Sequence, residues 1–537
     1  MRKWSLVMLV LCAIGLPLVW AIATEVEPQV GGHLIWAQPY SVTTLDPHDH
    51  AEQGAWNAQY QVYESLVDTD PGYRPLPRLA ISWERPDANT WIFHLRQGVY
   101  WQDGNPIFPE GQSREFTAED VVYTFKRVLD PELALVRYAQ IAHIDEVEAL
   151  DRYTVRFHTT RPDPFFLESV PGGLFIIPHE LVEAGLIDKY MVGTGPFEFV
   201  SFTPEEQVVF KRNEDWWGGT VYLDGQTMKI IPQKEVAVMA LEAGDVDLVT
   251  QVNPASIPRL REKGFQLIRA ESGAERWMGI PVRNNPPWDN VRMREALAHA
   301  IDREQLIKVV FAGITEMAMP AYQHENPALE THDPTMNDLP IWEYDLEKAR
   351  ALLSEEGWVD TDGDGIRDKN GQKLTLEILT PAADPNRVKI GVILATIFRQ
   401  ELGIDATTTK LEWGMLLQRT QTLPPENDVQ AFIIGGYSGV NGLYYLFSSN
   451  TWGTGGNRTF YSNPEVDELF ERALATLDRG ERIELWKEAQ RLIYQDIPQI
   501  PLYFDFAIAA AKRNVHGYIP WARICDMYTQ VWMEPEK

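Results

Sequence analysis

The stretch KIIPQKEVAVMALEAGDVDLV, residues 229–249, decides the fold class. It begins with KIIP, which predicts a strand, and continues with EVAVMALEAG, which predicts a helix. Gly244 fits the C-cap of this helix, because glycine readily adopts the left-handed backbone conformation found at helix ends. DVDLV then predicts a second strand. A strand, a helix and a strand in this order predict a mixed α/β protein.

The residues before this stretch show the same mixture. HLIWAQ (33–38) and TWIFHL (90–95) predict strands, and the second of these has its large apolar residues on one face. FTAEDVVYTFKRVL (116–129) predicts a helix in which Thr117 is the N-cap and Asp120 is its acidic partner three residues later. Strands and helices therefore alternate well before residue 229.

The residues after it change in character. VRNNPPWDN (282–290) is rich in proline and asparagine and predicts a connection, after which helical patterns dominate. Asp345 and Gly357 fit the N-cap and the C-cap of one helix, and Pro464 fits the first position of another. The segment PLYFDFAIAAA (501–511) returns to a strand pattern. The connection and this last strand are the predicted domain boundaries.

Length, charge and cysteine content exclude several classes of protein. A chain of 537 residues exceeds what one hydrophobic core usually supports, so two or three domains are expected. The formal net charge of −29 predicts a surface that repels phosphate backbones, which excludes nucleic acid as a partner. One of the two cysteines, Cys12, lies in the N-terminal apolar run, so the remaining chain has only Cys525 and no intramolecular disulfide.

The N-terminus has the pattern of a secretory signal peptide. Arg2 and Lys3 precede an almost continuously apolar run from Leu6 to Trp20, and small residues follow. Cleavage is expected near Ala23, so residues 1–23 are predicted to be removed and the mature protein to act in the periplasm or outside the cell. The alternative is an uncleaved membrane anchor, although the apolar run is short for a span.

Eleven short motifs follow one another in an order that resembles one known family. They are LDPH (45–48), VYESLV (62–67), LAISWE (79–84), TWIFHLRQGVYWQDG (90–104), FTAEDVVYTFKRVLD (116–130), GTGPFEFVSF (193–202), KRNEDWWGG (211–219), AGDVDL (243–248), VRMREALAHAID (291–302), KARALLSEEGW (348–358) and NRTFYSNPEVDEL (457–469). This series resembles the family 5 extracellular solute-binding proteins, the receptors of ABC importers for peptides, nickel and some oligosaccharides. The resemblance extends over nearly all of the mature chain.

The resemblance implies an α/β fold of two lobes with a hinge and a ligand cleft between them. Lobe I is expected to comprise residues 24–282 and 506–537, with an inserted subdomain at about 76–192, and lobe II residues 283–505. The protein is expected to be a monomer without catalytic activity. It would close over a small solute and deliver that solute to the transmembrane subunits of an importer.

The segment GGYSGVNG (435–442) leaves the class of ligand open. Peptide-binding relatives commonly carry an aspartate in the matching stretch, which pairs with the free α-amino group of the ligand. No acid lies between Phe432 and Phe447 here. Either another acid, such as Glu412 or Glu275, reaches the ligand, or the ligand has no amine. A peptide is therefore the first prediction, an oligosaccharide is the alternative, and a secreted hydrolase is the competing class of protein.

The predicted ligand-binding residues are aromatic side chains and a glycine that allows close approach of the backbone. Aromatic rings stack on sugar faces and line clefts, although many tryptophans belong to the core. Tyr40 is included because it follows the first strand, and chain after a strand often meets the cleft of an α/β protein. The predicted set is Tyr40, Trp277, Trp413, Gly436, Tyr437 and Trp452.

The segment DTDGDGIRD (360–368) resembles a calcium-binding loop. Asp360, Asp362, Asp364 and Asp368 occupy positions 1, 3, 5 and 9 of such a loop, but Gly371 stands where a bidentate glutamate is needed. The first interpretation of this segment is therefore a polar turn after a helix. A structural calcium ion bound by these aspartates is the alternative, and no other cofactor is expected.

No other catalytic or metal-binding motif in the sequence indicates an enzyme. HDH (48–50) has metal-ligating residue types, which nickel would accept, but it adjoins a turn motif that the family shares. The sequence contains neither HExxH nor GxxxxGK[ST], and it has no GxSxG element. We therefore expect a binding protein and not an enzyme.

Overall fold

The computed structural model describes residues 27–50, 52–70, 74–163, 166–169, 174–325, 329–436, 440–452, 456–520 and 528–535. The predicted signal peptide, Tyr437 and Cys525 lie outside the described residues. No helix within the described ranges has the length and hydrophobicity that a bilayer span needs.

The described residues form 21 strands and 15 α-helices. The strands are β1 (His33–Gln38), β2 (Val67–Thr69), β3 (Pro75–Pro77), β4 (Ala80–Glu84), β5 (Thr90–Leu95), β6 (Ile144–Asp151), β7 (Thr154–Thr159), β8 (Phe197–Thr203), β9 (Gln207–Arg212), β10 (Gly225–Ile230), β11 (Leu248–Val249), β12 (Gln266–Gly279), β13 (Ala318–Pro320), β14 (Asp368–Lys369), β15 (Gln372–Lys373), β16 (Thr375–Pro381), β17 (Asp405–Leu411), β18 (Ala431–Gly436), β19 (Gln499–Ala511), β20 (Val515–His516) and β21 (Trp532–Met533). The helices are α1 (Gln53–Gln59), α2 (Ala118–Leu129), α3 (Tyr138–Ile141), α4 (Phe166–Ser169), α5 (His179–Glu183), α6 (Lys234–Ala243), α7 (Ile257–Glu262), α8 (Val291–His299), α9 (Arg303–Val310), α10 (Leu346–Glu355), α11 (Pro385–Leu402), α12 (Trp413–Gln421), α13 (Val440–Phe447), α14 (Pro464–Ala475) and α15 (Arg479–Asp496).

The stretch that decides the fold class forms a strand, a helix and a strand, as predicted. β10 ends at Ile230, so the last two residues of KIIP follow the strand instead of belonging to it. α6 ends at the C-cap Gly244, whose φ of 89° lies in the left-handed region, as a glycine cap requires. β11 is short, with two residues, and both are buried.

The other predicted helix caps are confirmed except one, since Glu356 is the C-cap of α10 and the predicted Gly357 is the residue after it, with a φ of 85°. Thr117 and Asp120 form a reciprocal capping box at the start of α2. The side chain of Asp345 accepts a hydrogen bond from a backbone N–H group in the first turn of α10, and Pro464 is the first residue of α14. These caps satisfy N–H groups that the helices themselves leave unpaired.

Most of the long strands belong to one mixed sheet of eleven strands in the described residues. Ten of them follow the order β17-β16-β18-β12-β19-β11-β1-β10-β9-β8, and β13 pairs with β19 beside this path. β12 and β19 are antiparallel, and they are the longest strands of the sheet. Their register shifts twice, between Glu271 and Glu275 and again between Arg276 and Trp277, which interrupts the regular ladder in this part of β12. These two strands connect the two halves of the sheet.

The buried apolar residues divide along the same two strands. Two clusters draw their residues from between Leu34 and Leu260 and from Ile508 onward. Two other clusters draw theirs from between Trp277 and Tyr503. The protein therefore has a core on each side of the register shift in β12. A separate four-stranded sheet, β4-β5-β7-β6, packs with α2 in the first of these halves.

Candidate ligand-binding site

The carboxyl ends of two sets of parallel strands approach the register shift from opposite sides. β1 is parallel to β10 and β11, and β11 pairs Val249 with Ala510, so its carboxyl end points toward the lower-numbered residues of β19. β18 is parallel to β16, and it pairs its last residue, Gly436, with Glu275. Because Glu275 itself pairs with Phe504, the two sets of ends face each other across residues 504–510 of β19. Ligands of open α/β sheets bind outside such carboxyl ends.

Four charged side chains meet at this place and form two ion pairs. A guanidinium nitrogen of Arg276 on β12 lies 2.6 Å from a carboxylate oxygen of Asp505 on β19. Asp384 caps α11, after the end of β16, and its carboxylate lies 2.6 Å from Nε of Arg387. All four side chains are partly buried, with exposed fractions between 15% and 27%. The group carries no net charge, and it presents both acids and bases at the strand ends.

Burial and neighbouring charges shift the pKa values of these groups. Burial raises the pKa of Asp505, and the charge of Arg276 only partly offsets this effect. Burial acts in the same direction on Asp384, but hydrogen bonds and the charge of Arg387 outweigh it and hold the pKa of Asp384 below its usual value. Arg276 keeps a raised pKa despite its burial, chiefly because of Asp505. Of the two acids, Asp505 is therefore the one whose ionisation is costly and which gains most from a further cation.

Trp413 lies beside these charges. It is the first residue of α12, which follows β17, and 42% of it is exposed. The guanidinium carbon of Arg387 lies 5.8 Å from its ring centroid, within the range of a cation–π contact. Among the predicted residues, Trp413 therefore joins the charged group directly.

Tyr40 follows β1, as predicted, and Gly436 is the last residue of β18. Nε2 of Gln251 donates a hydrogen bond of 2.7 Å to the hydroxyl oxygen of Tyr40, which links the chain after β1 to the chain after β11. Gly436 ends β18 with a φ of 140°, and a Cβ atom at this position would meet nothing within 4 Å. The next residue, Tyr437, lies outside the described residues.

Trp277 and Trp452 occupy other surroundings. Trp277 is 1% exposed and belongs to a core cluster, where its ring meets the imidazole of His324 edge-on. Trp452 is partly buried, and its Nε1 donates a 2.9 Å hydrogen bond to the backbone oxygen of Tyr461. The guanidinium carbon of Arg283 lies 5.0 Å from the ring centroid of Trp452. The structure does not bring these two tryptophans to the four charged groups.

The two acids that sequence reasoning considered have other partners. Glu275 is fully buried, and its carboxylate lies 2.6 Å from Nδ1 of His324. Glu412 caps α12 and accepts hydrogen bonds from the backbone N–H groups of Gly414 and Met415. The acids at the strand ends are instead Asp384 and Asp505, which the sequence analysis did not single out. Asp505 had one signal in the sequence, because it is the only charged residue in the apolar strand PLYFDFAIAAA.

The aspartate loop brings three carboxylates together but already satisfies them. Ligand atoms of Asp360, Asp362 and Asp368 lie within 4.8 Å of one another. Asp360 accepts hydrogen bonds from two backbone N–H groups, and Asp368 accepts them from Thr361. The Nζ atom of Lys373 lies 2.7 Å from Asp362 and 3.0 Å from the fourth predicted residue, Asp364. The lysine supplies a positive charge in the loop, and calcium binding stays a prediction.

The HDH segment is packed within the protein. His48 is fully buried, and burial lowers its pKa to about 4. Its Nε2 is 2.9 Å from the backbone oxygen of Phe175, and its Nδ1 accepts a 2.7 Å hydrogen bond from Arg127. Nε2 of His50 is 2.7 Å from the side-chain oxygen of Gln59. Nδ1 of His50 accepts a 3.2 Å hydrogen bond from the backbone N–H group of Glu52, so all four ring nitrogens have partners and the segment is explained as structure.

Residues 74–457 match the family model described as bacterial extracellular solute-binding proteins, family 5. The chain belongs to this family. The match covers well over half of the chain, and the motif series recognised in the sequence is thereby explained. The two-lobed α/β fold expected from those motifs is confirmed by solved structures of similar proteins.

Two similar proteins have solved structures in complex with a peptide. The oligopeptide-binding protein AppA of Bacillus subtilis is 29% identical over 504 residues, which are 92% of this chain and 90% of that protein. Its structure in complex with a nonapeptide superposes with a TM-score of 0.68, at 26% identity, and covers 95% of this chain and all of the other. The structure of DppA from Helicobacter pylori in complex with the peptide STSA also gives 26% identity and a TM-score of 0.68, over 94% of this chain and 99% of the other.

A third relative is named for a ligand that is not a peptide. Heme-binding protein A of Haemophilus influenzae is 27% identical over 528 residues, which are 92% of this chain and 91% of that protein. Family membership and overall similarity therefore describe a solute-binding protein, while the choice of solute depends on the residues of the site.

Proposed function

We propose that this protein is the peptide-binding receptor of an ABC importer. It captures a peptide between its two lobes, closes by bending at the register shift of β12, and delivers the peptide to the transmembrane subunits. It acts as a monomer, it returns its ligand chemically unchanged, and it works outside the cytoplasmic membrane after cleavage near Ala23. The family does not decide the class of ligand. Our choice of a peptide depends on the charged side chains at the strand ends.

The observation that carries the proposal is the pairing of two acids with two bases at the site. A peptide with free ends carries one ammonium and one carboxylate, and each is very costly to bury without a partner. Asp505 offers a carboxylate to the ammonium, and Arg387 offers a guanidinium to the carboxylate. Because the group is neutral before binding, a zwitterionic ligand leaves the closed site neutral as well. The missing aspartate of GGYSGVNG is thus replaced, in our proposal, by Asp505 on β19.

The geometry of the sheet supports closure as the mechanism. Arg276 and Asp505 belong to the two strands that connect the cores, whereas Asp384, Arg387 and Trp413 belong to the half built from residues 277–503. Tyr40 and Gln251 belong to the other half. A ligand that contacts both halves stabilises only the conformation in which they are close, and it therefore shifts the population toward that conformation.

The similar proteins support the same class of ligand. The names of the oligopeptide-binding protein AppA of Bacillus subtilis and of di/tripeptide-binding protein 2 of Pseudomonas aeruginosa refer to peptides, and the second protein is 28% identical over 94% of this chain. The two solved structures at 26% identity hold a nonapeptide and the peptide STSA. These relatives differ in the length of peptide they hold, so we do not assign a length.

Isothermal titration with three matched tripeptides tests the proposal. Trialanine with free ends should bind, whereas N-acetyl-trialanine and trialanine amide, which each lack one charge, should bind about tenfold or more weakly because each loses one charge-assisted contact with the site. Maltotriose serves as the oligosaccharide arm, and it should give no heat. Binding of maltotriose without binding of any tripeptide would replace the peptide by the oligosaccharide alternative, and recovery of cleaved peptide would indicate a hydrolase.

A further inference from the structure

A cavity lies in the half of the protein built from residues 277–503. Its volume is about 490 Å³, and its lining residues all lie between Ile301 and Tyr344. None of them belongs to the candidate ligand-binding site. The volume is within the range of roughly 300–1,000 Å³ that small-molecule sites occupy. What the cavity accepts is decided by the chemistry of its inner wall and of its rim.

The inner wall offers hydrogen-bond donors that lack acceptors. Arg303 is 2% exposed, and its guanidinium lies 5.1 Å from the ring centroid of Tyr322 and 4.9 Å from that of Trp342. Its Nε donates a 2.8 Å hydrogen bond to the backbone oxygen of Pro501. Its Nη1 and Nη2, together with Nε1 of Trp342, have no hydrogen-bond partner in the described part of the chain. Buried donors without an acceptor are costly, so this wall favours a ligand that brings one.

The rim has the opposite chemistry. Asp302, Glu304, Asp338 and Glu343 line the cavity, and Arg303 is the one basic residue among its lining residues. Glu304, Asp338 and Glu343 are exposed, while Asp302 is partly buried and caps α9. A simple anion would be repelled by this rim, and a simple cation would leave the donors of the inner wall unpaired. Neither type of ion satisfies both parts of the cavity.

We propose that this cavity binds a small zwitterion of the amino-acid class. The carboxylate accepts two parallel N–H bonds from the guanidinium of Arg303, which is the geometry that this pair of groups favours. The ammonium lies at the rim, between Asp338 and Glu343. The two Nη atoms are covered in the unliganded protein, so the half-buried ring of Tyr322 turns aside when the ligand enters. This site is independent of peptide binding at the strand ends.

Saturation-transfer NMR with norleucine as the probe tests this proposal on the full-length mature protein. Norleucine amide carries only the positive charge and N-acetyl-norleucine only the negative charge, and both have the same aliphatic chain. The variant Asp338→Asn with Glu343→Gln removes two exposed charges of the rim without touching a core. The matched control is Glu468→Gln with Glu471→Gln, which makes the same change in charge at two exposed acids of α14.

Norleucine should bind at least about tenfold more tightly than either analogue, since each analogue loses a charge-assisted contact. The rim variant should weaken norleucine binding about fivefold or more, the control variant should not, and trialanine affinity should be unchanged in both. If norleucine amide bound as tightly as norleucine, the acidic rim alone would account for binding, and the proposed role of Arg303 would be wrong. Norleucine binding that the rim variant leaves intact, or no saturation transfer at all, would overturn the proposal, and neither result would affect the peptide site.

Discussion

Replacement of Asp505 by asparagine tests how the protein recognises the amino end of a peptide. Asparagine has nearly the same shape, so the change removes the negative charge and little else. The side chain is 26% exposed and lies 2.6 Å from the guanidinium of Arg276, so this charge is only partly screened by water. In our account, the ligand ammonium takes this carboxylate as its partner when the lobes close.

The expected loss of affinity follows from this partial burial. Removing one partner of a fully buried charge pair at an interface costs about 2–5 kcal/mol. Because a quarter of the Asp505 side chain remains exposed, we expect the lower end, about 2 kcal/mol, which is roughly a 30-fold increase in Kd for trialanine. Folding stability should change little, because burial raises the pKa of Asp505 and makes its charge costly, which offsets much of what the ion pair with Arg276 contributes.

Isothermal titration of wild type and variant with trialanine and N-acetyl-trialanine forms a double cycle. The loss caused by Asp505→Asn should appear with the free peptide and disappear with the acetylated one, because only the free peptide carries the ammonium. Asp428→Asn is the matched control, since Asp428 is also paired with an arginine, Arg419, but is 72% exposed and lies outside the site. The same loss for both peptides would refute the role of Asp505 as the partner of the amine.

Three further predictions follow from the same structure. Because its pKa is raised by burial, Asp505 loses its charge at a higher pH than an ordinary aspartate near 3.9, so trialanine affinity should fall on acidification in the wild type but not in Asp505→Asn, as titrations between neutral pH and pH 4 would show. Trp413→Ala should weaken peptide binding with an unchanged melting temperature, whereas Trp277→Ala should cost about 3–5 kcal/mol of stability in urea unfolding, since it empties a core site; the reverse pattern would exchange their roles. Lys373→Gln removes the ammonium that contacts Asp362, so calcium should raise the melting temperature of this variant more than that of the wild type, and equal shifts would mean that the lysine does not compete with calcium.

Local features of the fold could be predicted because they depend on neighbouring residues. Gly244 at the end of α6 and the capping box of Thr117 and Asp120 are examples, since each follows from residue types a few positions apart. The motif series gave the family in the same way. The predicted bounds of the strand at KIIP (229–232) were wrong by a few residues, since β10 comprises Gly225–Ile230. The pairing of β10 with β1 sets these bounds, and no local pattern in the sequence shows this pairing.

The charged residues of the site could not be predicted, for a related reason. A sequence shows that Asp505 interrupts an apolar strand, but it does not show that Arg276 pairs with it from a distant strand. It also does not distinguish a tryptophan that lines a site from one that fills a core. Trp277 and Trp413 were equal candidates, and only the packing around each separates the buried ring from the exposed one.

The central claim is that the site holds a peptide, and mass spectrometry of small molecules released from the denatured protein tests it most directly. Closed receptors keep their ligand during gentle purification, so the released material reports what the protein captured. We predict peptides with free amino ends, present in the wild type and depleted in Asp505→Asn. Hexose-spaced masses, or peptides that are equally abundant in the variant, would contradict the account.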